Sequence, residues 1–203
     1  MSPPAKPWQP EKITEQEYLA TEAYAAVKRE YIGGEVYAMA GAHRNHSHLT
    51  GNLFGEIRSH LKGQSCAVFQ SDLRVKVEQD YFYPDVVVDC VGQQDYWTDS
   101  PVIIVEVLSK STRQMDKTFK RHAYCRLPTL QEYLLIEQDF VEIEVWRRQG
   151  MHWEQSIYYL GDQLTLHSIG LTLAVHDIYE RVQNPDMLEW LKQQADTPDS
   201  TDH

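Results

Sequence analysis

An α/β domain with a mixed sheet is the fold class that this chain predicts, and three observations carry it. Strand-length apolar runs alternate with helix-length stripes, turn residues punctuate them, and the longest runs, Val86–Val88 and Val102–Val105, are far shorter than a membrane helix. Thr14-Glu15-Gln16-Glu17 is a capping box that opens a helix to about Ala26. Glu30–Ile32 and Glu35–Met39, split by Gly33-Gly34, read as a hairpin. After Gly41, Leu49, Leu53, Ile57 and Leu61 recur every four residues, an amphipathic helix closed by Gly63. Strands are expected around 66–77, 83–90 and 102–109, the last apolar on both faces as a central strand would be. A helix from about Asp116 to Arg126 stops before Pro128. Strands rich in Val, Ile, Tyr and Trp follow at about 131–137, 141–148 and 152–160. Short strands near 164–166 and 171–175 and a short helix from His176 complete the order. The helices pack on the sheet.

A length of 203 residues suits one domain, placed at 14–182, with a flexible segment at 1–13 and an acidic, partly disordered tail at 183–203. The 42% hydrophobic content supplies a core, while 24% charged residues and a mean hydropathy of −0.52 describe a soluble chain. No run reaches the roughly 18 apolar residues of a membrane helix, and the proline-rich start is not a signal peptide, so a cytoplasmic protein is expected. Cys66, Cys90 and Cys125 are odd in number and form no Cys-x-x-Cys, so buried thiols are expected rather than a disulfide or a zinc site. A net charge of −11 argues against a surface coated in nucleic-acid affinity. Between Lys110 and Arg126, however, Lys110, Arg113, Lys117, Lys120, Arg121 and Arg126 face only Asp116. That segment suits a phosphate-bearing ligand or a solvated helix face.

Asp85 begins one strand and Glu106 ends the next. A carboxylate on a central apolar strand is costly unless compensated, and period-two alternation puts Ile104, Glu106 and Leu108 on one face. If the two strands pair, Asp85 and Glu106 converge into a hard-oxygen site for Mg2+ or Mn2+. Such an ion polarises a phosphodiester and acidifies a bound water, and a nearby lysine would stabilise the transition state. The plainer alternative is turn chemistry at Pro84-Asp85 and an arginine partner for Glu106.

Tyr83-Pro84-Asp85, Glu106-Val107-Leu108-Ser109, Ser111-Thr112, Asp116-x-x-x-Lys120-x-x-x-Tyr124, Leu127-Pro128 and Glu132-Tyr133-Leu134-Leu135 occur in that order. Together with Glu30, Gly34, Glu35, Asn45-His46 and Ser71-Asp72, this series resembles the Uma-two endonuclease-like family of the PD-(D/E)XK restriction-endonuclease-like superfamily. The resemblance spans about residues 14–180. It implies a restriction-endonuclease-like mixed central sheet flanked by helices, with additional antiparallel strands in the C-terminal part. It also implies a metal-dependent nuclease acting on DNA, with Asp85 and Glu106 holding Mg2+ or Mn2+. The superfamily lysine would fall at Leu108. The resemblance implies that it has migrated to a helix, with Lys120 the candidate and Lys117 the competitor.

Asp116, Lys120 and Tyr124 share a stripe at i, i+4 and i+8, which an ordinary surface ion pair would also explain. Glu30 and Asp72 are further acidic candidates for the cleft, and each could equally face solvent. His46 is kept as a cleft-lining candidate, whereas His43 and His48 read as helix-entry residues. Two other functions stay open: an inactive nucleic-acid-binding or assembly module of the same fold, and a hydrolase of another phosphate ester. Trp146, Trp153, Tyr158 and Tyr159 form either a homodimer surface or the cover of the sheet.

Overall fold

The computed structural model describes residues 11–39 and 41–196. Along the chain lie Glu11–Lys12 (β1), Glu15–Glu22 (α1), Arg29–Ile32 (β2), Glu35–Ala38 (β3) and Arg44–His60 (α2). Ala67–Gln70 (β4), Arg74–Val77 (β5), Asp80–Phe82 (β6), Val86–Asp89 (β7), Trp97–Thr98 (β8) and Pro101–Leu108 (β9) follow. A composite helix then joins Arg113–Met115 (α3), a π-helical turn at Asp116–Lys120, and Arg121–Tyr124 (α4). The rest is Glu132–Glu137 (β10), Ile143–Gln149 (β11), His152–Tyr158 (β12), Gln163–Leu166 (β13), Leu171–Ala174 (β14), Val175–Ile178 (α5) and Pro185–Asp196 (α6).

The central sheet runs β12-β11-β10-β9-β7-β4. It is mixed because β9 and β10 are parallel while the other neighbours are antiparallel. Parallel neighbours need a crossover, and the composite helix is that crossover. A second sheet, β1-β3-β2-β6-β5-β8, and the hairpin β13-β14 complete the architecture.

Alternation along β9 explains why it reads as apolar throughout. Ile103, Val105 and Val107 pack with Leu49, Leu53 and Ile57 of α2, whereas Ile104 and Leu108 pack with Val87, Tyr124 and Tyr133 on the opposite face. Burying each such aliphatic chain contributes about 1.5–3 kcal/mol. Glu106 lies on the second face, beneath the composite helix.

Several expectations are corrected. The strand expected at 66–77 is two strands in two different sheets, separated where Ser71 takes a φ of 55°. That left-handed conformation is unfavourable for serine and breaks the ladder. The first helix stops at Glu22 rather than near Ala26. β6 and β8, unforeseen, are what give the second sheet its extent. Cys66 and Cys90, expected as thiols, form a disulfide, and Cys125 is free. The cause is register: Ala67 pairs with Asp89, so residues 66 and 90 meet at the sheet edge.

The termini also differ from expectation. Glu11–Lys12 pairs with Glu35–Val36 inside the segment read as flexible. Within the supposed tail, α6 forms and Met187 is buried against the core with Trp190 beside it. The expectations for 1–10 and 197–203 lie outside the described residues. Among the described residues no helix is long and apolar enough to cross a membrane.

Asn45 at the start of α2 ties the segment before α6 to the domain. Its Nδ2 donates to the Gln183 carbonyl at 2.8 Å, and its Oδ1 accepts from the Gln183 N–H at 3.1 Å. Asn45→Ala would leave both backbone groups without these partners. A loss of about 1–3 kcal/mol is expected in urea unfolding; an unchanged midpoint would show that water replaces the amide without cost.

Candidate active site

Asp85 precedes β7 and is pinned by its own backbone. Its N–H donates to the Val105 carbonyl at 3.1 Å, and its carbonyl accepts from the Ser71 N–H at 3.0 Å. Val86 stands opposite Val105. One step further along this antiparallel register, Asp85 and Glu106 are neighbours on the same face. The Asp85 carboxylate caps the ladder, since its Oδ2 accepts the Val107 N–H at 2.7 Å. The same oxygen lies 3.1 Å from Nε2 of half-buried His46, which reaches over from the first turn of α2.

Lys120 closes the other side. Its ammonium lies 2.9 Å from Glu30 Oε1, 3.2 Å from Glu106 Oε1 and 3.3 Å from Asp116 Oδ1. The Tyr124 hydroxyl donates to the same Glu106 oxygen at 3.1 Å. Glu30 is carried in by β2 and accepts the Tyr83 N–H at 3.0 Å. Glu30, Asp85, Glu106, Asp116 and Lys120 are each more than nine-tenths buried.

The π turn is what aligns the helical contributors. In a straight α-helix, residues eight apart drift by about 80°. A π turn acts as a one-residue insertion and leaves Asp116 and Tyr124 within about 20° of one another. Arg113 and Lys117 are left on a different face, where Arg113 grips Glu137 through Nε–Oε1 at 3.0 Å and Lys117 lies 3.2 Å from Glu144 Oε2. Lys117 is therefore not in the Glu106 cluster. Asp72 is also outside it: its carboxylate is largely exposed and paired with Lys28. Glu30, His46, Asp116 and Tyr124 are all brought to Asp85, Glu106 and Lys120. Sequence reading used Tyr133 only within the family-like run Glu132–Leu135 and gave it no site role; its hydroxyl donates to the Asp116 carbonyl at 3.1 Å. Beyond that run, its β10 position among apolar residues signals only a phenol needing a partner.

Three buried carboxyl groups surround the Lys120 ammonium, and Asp85 lies beside Glu106. Burial pushes the Glu106 carboxyl well above the usual range; Lys120 opposes this, while Asp116, Asp85 and Glu30 add to it. Asp116 is raised by burial against the pull of Lys120. Burial would lower Lys120, but Glu106, Glu30 and Asp116 outweigh it and hold the ammonium protonated. For His46, burial is likewise outweighed by the hydrogen bond and charge of Asp85.

The donor set suits a hard divalent cation. It consists of carboxylate oxygens with excess negative charge. Asp85 Oδ1 and Glu106 Oε2 have no protein hydrogen bond among the described residues, and buried Asp116 Oδ1 has none of good geometry. Among the described residues no three donors already converge as a cage, because the Lys120 ammonium stands between them. Two surface cavities, of 340 and 500 Å3, lie elsewhere, beside Glu132 and Arg147 and beside Arg58 and Lys62. Neither cavity is lined by the carboxylate cluster.

The charge balance has a pH signature. Glu106 and Asp116 have folded pKa values above their unfolded ones, so the stability they permit below the unfolded values is lost as pH rises through the folded values. Lys120→Met removes the opposing charge and widens that window upward. The variant should lose about 3–5 kcal/mol at pH 8 and clearly less at pH 5, read by urea unfolding. Equal losses at both pH values would refute this account of the cluster.

Comparison with known proteins gives the fold and the family. The solved structure titled as "a putative nuclease belonging to DUF820" from Anabaena variabilis superposes with a TM-score of 0.72, covering 84% of this chain and 99% of that one at 21% identity. That likeness shows the fold, a restriction-endonuclease-like mixed sheet flanked by helices. Two uncharacterized proteins of Synechocystis sp. are each 37% identical to this chain. The protein slr1290 matches over 174 residues, 83% of this chain and 92% of its own length. The protein sll1609 matches over 147 residues, 68% and 82%. The family model described as "Putative restriction endonuclease" matches residues 15–176, and with these relatives it shows that the chain belongs to the Uma2 family.

Proposed function

We propose that the protein is a metal-dependent nuclease that hydrolyses DNA phosphodiester bonds at the Asp85–Glu106–Lys120 cluster. The single observation that carries this reading is the pair of carboxylates at Glu106 of β9 and at Asp85 just before the adjacent β7, each with an oxygen free of protein donors among the described residues, beside a buried lysine. Asp85 and Glu106 would hold Mg2+ or Mn2+. Bound there, the ion would supply polarisation of a phosphoryl oxygen and a more acidic water.

The chain's own groups do the rest. Lys120, held protonated, offers positive charge to the pentavalent phosphoryl group rather than accepting a proton from water. Tyr124 orients the Glu106 oxygen that faces the lysine. His46 and the Val107 N–H hold one oxygen of Asp85, leaving the other without a protein hydrogen bond among the described residues.

A second reading, a nucleic-acid-binding module of the same fold without turnover, draws support from the lysine standing where a metal cage would need to open. One assay separates the two. With Mg2+ or Mn2+, the protein should nick plasmid or cut linear DNA, and the isosteric Glu106→Gln should be slower by at least about 100-fold. Saturating Mn2+ should also raise the unfolding free energy, by about 2.7 kcal/mol at one hundred times its Kd, and Asp85→Asn should diminish that gain. DNA left uncut at the same trace level by wild type and Glu106→Gln, with DNA still bound, establishes the binding module instead.

A further inference from the structure

The π turn at Asp116–Lys120 needs a cause, because an uninterrupted α-helix is the lower-energy default. In an α-helix the Asp116 carbonyl would accept from the Lys120 N–H. Here it accepts from the Arg121 N–H, five residues on, and also from the Tyr133 hydroxyl at 3.1 Å. Tyr133 comes from β10, is fully buried, and packs edge-on against Tyr124 at 5.4 Å between ring centres. Its hydroxyl holds the carbonyl of the very residue where the turn widens. On the other helix face, Arg113 and Lys117 are drawn to Glu137 and Glu144 of β10 and β11. The sheet thus grips the helix on both sides of the widened turn.

We propose that Tyr133 is a positioning residue: its hydroxyl on the Asp116 carbonyl fixes the π turn and thereby places Lys120 and Asp116 against Glu106 and Glu30. This rests on the reading of Lys120 as the cation that stabilises the transition state. Tyr133 touches no reacting atom and acts through helix phase alone. Without the hydroxyl, the turn can revert toward α-helical bonding, rotating Lys120 toward the Arg113 face.

Tyr133→Phe keeps the ring and removes the hydrogen bond. Hydrogen–deuterium exchange on the full chain should show amides of 116–121 exchanging about tenfold faster, with β9 and β10 unchanged. In the Mn2+-dependent cleavage assay kcat should fall about tenfold while KM for DNA holds, since misplacement of a charge costs rate rather than binding. Unchanged exchange at 116–121 overturns the proposal, as does loosening spread over the whole sheet or a chain that fails to fold, either of which assigns Tyr133 to packing. Local loosening with an unchanged kcat in an active enzyme also overturns it. If the wild-type protein cuts no DNA, the nuclease reading fails, while the exchange measurement still decides whether Tyr133 holds the turn.

Discussion

The Lys120 ammonium stands among three carboxylates drawn from three parts of the chain: Glu30 of β2, Glu106 of β9 and Asp116 of its own helix. Removing any partner leaves an uncompensated charge at a nearly water-free position, so the second sheet, the central sheet and the crossover helix are bound to one electrostatic arrangement. The compensation is incomplete. Asp85 adds a fourth carboxyl to the same face, so the cluster holds more acidic groups than basic ones.

The scaffold around this cluster is apolar and buried. β9 is buried on both faces, and α2 seals one of them through Leu49, Leu53 and Ile57. Glu106 is tolerated in that strand because its neighbours are a lysine and a phenol rather than hydrocarbon. Asp85 is tolerated because it satisfies the Val107 N–H where the β7 ladder stops. Each acid thus meets a structural need with one oxygen and leaves the other uncommitted.

Helix phase is the second device. Asp116, Lys120 and Tyr124 could not share one line on a plain α-helix, and Arg113 and Lys117 would crowd the same side. The widened turn divides the basic segment into two functions: one lysine inside the carboxylate cluster, and an arginine and a lysine bracing the helix to β10 and β11. The density of basic residues at 110–126 reflects this division as much as any ligand.

Several features follow from the chain's own pattern. The capping box at Thr14, the Gly33-Gly34 hairpin, the stripe of α2 and the two-faced apolar character of β9 are local properties, and local periodicity and turn chemistry suffice to read them. The ordered matches around Asp85, Glu106 and Lys120 likewise place the chain in its family. Contacts between distant segments were decided by tertiary structure alone. Asp72 and Glu30 look equivalent in the sequence, yet the break at Ser71 sends Asp72 to solvent while β2 carries Glu30 inward. Lys117 and Lys120 sit on one short helix, and only the π turn held by Tyr133 assigns them to different faces. Cys66 and Cys90 meet through strand register, and α6 forms where composition suggested a loose tail because Met187 and Trp190 find the core. Sequence specifies which residues want burial or charge compensation; which of them obtain it depends on packing across the fold.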